Sequence, residues 1–260
     1  MFRRFFLCLL VPFFTFVVIS CGSSSNLENQ PSTPVNSVKR IVALTSLSSD
    51  IIEQLDSDKL VGMVGSRIFK DEQRFQSIPR VSQGQTLPSL EKIIALKPDL
   101  VIGAKGFSDR TLNKLKELGI ATLSTDINNW TAFLEITKTI ANLIEADPTP
   151  LLTRYQTFLT DIPQHNLSGL VLVSRQPILA PNKNSWAGDL LTQFNLNNVA
   201  ADLQGTSPVQ GYVTLSAEKI LQENPEILLM VDPSLEGLIK EFQGESFWGQ
   251  LQATQNDHVY

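Results

Sequence analysis

A capped helix that runs into a proline and then into a strand occurs twice in this chain, in the same register. In the first half Ser89, Glu91, Lys92, Ile93 and Pro98 precede an apolar run at 100–103. In the second half Ser216, Glu218, Lys219, Ile220 and Pro225 precede a run at 226–231. A serine before the first helical turn accepts one of its unpaired amides, and proline cannot continue a helix interior. Either feature alone is common. Their matched order and spacing imply two similar lobes, each built around a helix that feeds a strand.

The rest of the chain fits that frame. Residues 39–44, 60–64, 100–103 and 121–123 read as short buried strands, and 50–55, 90–96 and 109–118 as helices. Ser108 is expected to cap the last of these and Gly119 to close it. Short apolar strands between helices imply a parallel sheet. The rhythm breaks at 130–162, where Phe133, Ile136, Ile140 and Leu143 recur at helical spacing and Asp147 to Pro150 interrupt. This stretch is expected to be a connecting helix. After it, 170–173 and 226–231 read as strands and 187–194 and 217–223 as helices. The fold class is therefore α/β: two Rossmann-like lobes, 38–128 and 166–260, joined by a helix at 129–165 with a ligand cleft between them.

The N-terminus reads as a secretory signal over 1–20. Arg3 and Arg4 precede an apolar run that ends in Val18, Ile19, Ser20 and Cys21. The run is shorter than a membrane-spanning helix requires. Its last four residues resemble a bacterial lipobox, with Cys21 the lipidated residue and 21–37 a Ser-, Asn- and Pro-rich tether. The two cysteines are Cys8 and Cys21. Loss of Cys8 with the signal and acylation of Cys21 would leave no thiol for a disulfide, a metal or a nucleophile. A net charge of −5, more negative once Arg3 and Arg4 are removed, argues against nucleic acid. His165 and His258 are the two histidines, too few for a His-rich metal centre, and both are expected to be structural or solvent-facing. The chain carries no Gly-x-Ser-x-Gly elbow and no phosphate loop, so an enzyme is not expected.

The segments 40–44, 60–64, 90–102 and 118–120, with 184–191 and 212–218 in the second half, resemble the periplasmic binding proteins for vitamin B12 and ferric siderophores. The resemblance covers about 38–260. It implies a monomer without a cofactor that binds a small molecule between its lobes and serves an ABC-type permease dimer from the periplasm or cell surface. It also implies that Glu91 and Glu218 dock on the permease, although a first-turn carboxylate is equally suited to local capping. Two departures stand out. Family members continue through further strand and helix, so a shortened second lobe and an incomplete cleft wall are expected. The B12 binders carry a tryptophan where Ser82 stands, which argues against a corrinoid.

Ligands of open α/β sheets bind beyond the carboxyl ends of the strands. That rule nominates Ser46, Ser66, Arg67, Ser82, Gln83, Lys105 and Phe107 in the first lobe and Arg175, Trp186 and Tyr212 in the second. Arg67, Lys105 and Arg175 would make a basic cleft suited to an anionic Fe(III) chelate, such as a carboxylate siderophore or ferric citrate. Cobalamin or haem, the latter with Tyr212 as axial ligand, is the alternative. A secreted hydrolase is a further one.

Overall fold

The computed structural model describes residues 37–83, 86–163, 166–203, 207, 209–231 and 237–260. The expected signal, the lipidated Cys21, its tether up to residue 36, and His165 lie outside the described residues. In chain order the elements are β1 (Ile41–Ala43), α1 (Ser46–Asp56), β2 (Leu60–Met63), α2 (Leu90–Ala95), β3 (Leu100–Ala104), α3 (Asp109–Glu117), β4 (Ala121–Thr125), α4 (Trp130–Ile144), α5 (Thr149–Thr157), β5 (Ser168–Leu172), β6 (Ser174–Arg175), β7 (Ile178–Pro181), α6 (Trp186–Gln193), β8 (Asn197–Asn198), β9 (Tyr212–Thr214), α7 (Ala217–Glu223), β10 (Ile227–Met230), α8 (Leu238–Gln243) and α9 (Gln252–Gln255).

The first lobe is a parallel sheet ordered β2-β1-β3-β4. Its central strands are apolar on both faces because both faces are covered. Ile41, Ala43, Leu100 and Ile102 meet Ile51 and Ile52 of α1, Phe133, Ile140 and Ile144 of α4, and Leu151 and Tyr155 of α5. Val42, Leu44 and Val101 meet Ile93 of α2 and Leu112 and Leu115 of α3. Burial pushes the Tyr155 phenol up to about 12. The connecting stretch is thus two helices rather than one, and both close the first lobe.

The second lobe repeats this plan. Its parallel sheet is ordered β10-β5-β8, and Val259 bridges to Leu228 on the free edge of β10, in the place β4 holds beside β3. Leu170, Leu172 and Leu228 pack on Ile220 of α7 and on Leu238, Phe242, Phe247 and Leu251. A second sheet, antiparallel and ordered β6-β7-β9, is an addition the sequence did not announce.

The repeat is exact down to single hydrogen bonds. Ser89 accepts from the Lys92 amide at 3.3 Å and Ser216 from the Lys219 amide at 3.2 Å. The residue before each proline, Lys97 or Asn224, sits in the left-handed region at φ 47° or 42°. The acid after each proline clasps the first strand of its lobe. Asp99 Oδ2 accepts from the Lys39 and Arg40 amides at 2.9 and 3.0 Å. Glu226 Oε2 accepts from the Ser168 amide and hydroxyl at 2.8 and 3.0 Å. These donors hold the Glu226 carboxyl below the usual range.

The lobes differ on one face. The first-lobe face formed by Ile41, Ala43, Leu100 and Ile102 is covered by α1, α4 and α5. Among the described residues the equivalent second-lobe face, with Val171, Ile227, Leu229 and Val231, meets α6 and the segment at 160–163 and leaves an apolar groove of about 650 Å³, also lined by Leu190 and Phe194.

Candidate functional site

The carboxyl edges of the two sheets meet where α4 and α6 begin. Trp130 opens α4 and Trp186 opens α6. Their rings stack at 6.0 Å and 19°, and Phe133 lies edge-on to Trp186 at 5.3 Å. Asp189 of α6 accepts from the Trp130 amide at 2.7 Å, a carboxylate from one lobe held on the N-terminus of the other lobe's helix. Trp186 is therefore packed into this joint.

The first-lobe candidates occupy loops at the carboxyl edge. Ser46 is the first residue of α1, behind the Thr45 cap. Ser66 and Arg67 follow β2, and the Lys70 amide donates to the Arg67 carbonyl at 3.2 Å. Ser82 is buried, and its Oγ accepts from the Gly65 amide at 3.2 Å. A Cβ on Gly65 would stand 2.5 Å from the Ser82 carbonyl oxygen, so the loop after β2 and the loop at 82 touch backbone to backbone. Ser82 is a brace between two cleft loops. Gln83 is exposed, and its amide donates to Thr86 Oγ1 at 3.0 Å. Ser108 begins α3, but its hydroxyl turns back to accept from the Ala104 amide at 3.2 Å instead of capping the helix, while Asp109 accepts from the Gly106 amide at 2.9 Å. That tight turn holds Phe107 outward, 83% exposed.

Acids stand against Lys105 and Arg175. Lys105 Nζ lies 2.7 Å from Asp126 Oδ2, and that bond raises the Lys105 pKa. Arg175, which belongs to β6, lies 2.7 Å from Glu245 Oε1 through both Nε and Nη2. Each of these two cations is thus paired with an acid of its own lobe.

In the second lobe Tyr212 begins β9 opposite Pro181. It lines a polar pocket of about 260 Å³ with Asn182, Ser207, Val209 and Gln210. Gly211, at φ 80°, accepts from the Asn182 amide at 2.9 Å, and a Cβ there would stand 2.9 Å from the Asn184 carbonyl oxygen. Only glycine lets β9 approach the turn before α6 this closely. Burial pushes the Tyr212 phenol up. Sequence reasoning missed Asn182, Val209 and Gln210. Gly211 before an aromatic residue was the available signal.

Glu91 and Glu218 are exposed at equivalent places in the first turns of α2 and α7. Each helix runs antiparallel to the strand it feeds, so both acids stand on the carboxyl-edge side. Glu218 is held below the usual carboxylate range by its own amide and the Ser216 hydroxyl. Among the described residues no cluster of His, Cys, Asp and Glu is placed to hold a metal, and no helix is long and apolar enough to cross a membrane.

Residues 41–260 match the family model described as periplasmic binding protein. An uncharacterized ABC transporter substrate-binding lipoprotein of Bacillus subtilis is 26% identical over 90% of this chain and 75% of its own length. A vitamin B12-binding protein of Vibrio campbellii is 24% identical over 85% of this chain and 80% of its own. Among solved structures, the periplasmic haem-binding protein of Vibrio cholerae superposes with a TM-score of 0.70 at 18% identity, covering 85% of this chain and 88% of that one. The periplasmic vitamin B12 binding protein of the same species superposes with a TM-score of 0.66 at 22% identity, covering 86% and 87%. The two-lobed α/β fold is what this chain shares with these solved structures, and with the family model matched over 41–260 the chain belongs to the periplasmic binding protein family.

Proposed function

We propose that this chain is the ligand-capturing component of an ABC importer. It takes a chelated Fe(III) complex, a ferric siderophore or ferric citrate, between its lobes and delivers it to a permease dimer. One observation carries this reading: the carboxyl edges of two like lobes converge on the Trp130–Trp186 joint, with the Tyr212 pocket on one side and the loops of Ser46, Ser66 and Phe107 on the other. The names of the relatives, an ABC transporter lipoprotein and vitamin B12- and haem-binding proteins, support it. Cobalamin or haem is a second reading, favoured by the Tyr212 phenol at the cleft edge and by those same names.

Glu91 and Glu218 serve as the permease contacts, one per lobe. Reversing both, Glu91→Arg with Glu218→Arg, should abolish uptake and leave ligand affinity unchanged. Normal uptake by that variant would reduce the acids to helix capping. Mass spectrometry of small molecules that co-purify with the protein identifies the ligand, and recovery of none from freshly lysed cells would count against capture. Cys21 is the proposed lipid anchor. Cys21→Ser should release the protein from the membrane fraction, and continued labelling of that variant by palmitate would rule the anchor out.

A further inference from the structure

We propose that the open apolar face of the second lobe is a docking site for an amphipathic helix of another protein, seated there as α4 is seated on the first lobe. The internal repeat identifies the occupant. β5, β8, β10 and the segment bridging at Val259 hold the places of β1, β2, β3 and β4. The register carries over: Ile41 pairs with Leu100 and Ala43 with Ile102, while Gly169 pairs with Ile227 and Val171 with Leu229. α6 leads into β8 as α1 leads into β2. No described helix takes the place of α4.

Exposure measures the gap. Ile41 and Ile102 are 0% exposed in one cluster with Phe133, Ile140 and Ile144 of α4. In the second lobe Ile227 and Leu229 are part-exposed, Val231 is 45% exposed and Phe194 of α6 is 40% exposed. Parallel sheets are ordinarily covered on both faces. The groove of about 650 Å³ above these residues is walled by α6 and by the segment at 160–163. The positions that α4 buries are 133, 137, 140, 141 and 144, the stripe of a helix lying along a sheet. A helix with that stripe, uncharged, suits the open face.

Charge and inventory select among occupants. Of the described residues that line the groove, Asp161 alone is charged, and it lies on the segment that leads toward the amino end of β5. A helix running in the direction of α4 starts at the carboxyl edge and ends toward Asp161, so a basic last turn is favoured there. An acyl chain with a carboxylate or phosphate head would meet that acid and no lining cation. A second copy has no helix to lend: α1, α3, α4 and α5 turn their apolar sides into the first lobe, and α6 already walls the groove.

The test titrates the full chain with a fluorescently labelled synthetic amide of residues 129–145, which spans α4, in its own sequence and with Glu145→Lys. Binding is read by anisotropy. The Glu145→Lys peptide should bind saturably, about two- to fivefold more tightly than the other, the scale of one cation at a helix end. In the protein Asp161→Asn should erase that difference. Leu229→Lys with Val231→Lys should weaken binding by about tenfold or more, because it sets unpaired charge under the helix. Leu118→Lys, at an exposed apolar residue of the first lobe, should leave binding unchanged. If the double lysine variant does not fold, the exposed Asp161→Asn and a peptide carrying Phe133→Glu with Ile140→Glu, which should not bind, decide the matter. Saturable binding of neither parent peptide, equal binding of the glutamate-striped peptide, or binding untouched by the folded double lysine variant overturns the proposal. Two other outcomes replace the helix: a dimer in sedimentation that the lysines dissociate makes the occupant a second copy, and palmitate that displaces the peptide by binding more tightly makes it an acyl chain.

Discussion

Replacing Trp186 by alanine removes the ring that joins the lobes, and the structure sets the size of the effect. An indole of roughly 200 Å² that is about two-thirds covered or more contributes about 3.3 kcal/mol at about 25 cal/mol per Å². Its contacts with Trp130 at 6.0 Å and Phe133 at 5.3 Å add an aromatic term of about 0.5–1.5 kcal/mol. The sum, about 4–5 kcal/mol, matches the usual cost of aromatic-to-alanine changes in cores. For a folded part of this size that is a fall in Tm of about 8–20 °C. Differential scanning calorimetry should show this loss with a broader transition, because the lobes no longer unfold together. Trp186→Phe should recover about half. A Tm within about 2 °C of the parent protein would refute the joint and return Trp186 to the role of a ligand contact alone.

Three further outcomes follow from the geometry. Glu226 is held below the ordinary carboxylate range by Ser168; its contribution to stability is complete above the unfolded value of about 4.3 and fades as pH falls through the lower folded value. Glu226→Gln should therefore flatten the acid limb of a Tm-against-pH curve, and an unchanged limb would show that the clasp contributes nothing. Gly211→Ala should lower Tm by about 2–5 °C, from about 1 kcal/mol of left-handed strain, and should disturb the Tyr212 pocket; an unaltered Tm would mean that β9 shifts freely. Leu229→Lys with Val231→Lys in the open groove should reduce binding of an apolar dye such as ANS by more than half with little change in Tm. Undiminished dye binding would place the exposed apolar surface elsewhere.

The first lobe was legible because its strands are short, apolar and buried on both faces, so β1, β3 and the helices between them stand out by composition alone. The duplicated serine, glutamate and proline pattern carried over into matching caps and matching left-handed residues. The antiparallel sheet was hidden. β6 has two residues, β7 ends in Pro181, and a cis peptide precedes Pro177 between them; no run there is long enough to show a period. The pairing of Arg175 with Glu245, and of Lys105 with Asp126, joins residues far apart in the chain, and a local pattern carries no trace of it. The acid partners of two of the nominated cleft cations were therefore not legible in the sequence. The spine was legible as helix, yet periodicity does not say which lobe a helix covers. The groove was hidden for the opposite reason: 226–231 reads as a fully buried strand, and only the fold shows one of its faces open.

The aromatic joint also gives the protein an optical gauge. The chain has three tryptophans. Two of them, Trp130 and Trp186, lie nearly parallel at 6.0 Å, close enough for their excited states to couple and to give paired near-ultraviolet dichroism bands of opposite sign. The third, Trp248, sits within the second lobe at 6.3 Å from Phe242 and is insulated from the joint. A rotation of one lobe against the other changes the coupled pair and leaves the third indole as an internal reference, so the angle between the lobes is written in the spectrum of the unlabelled protein.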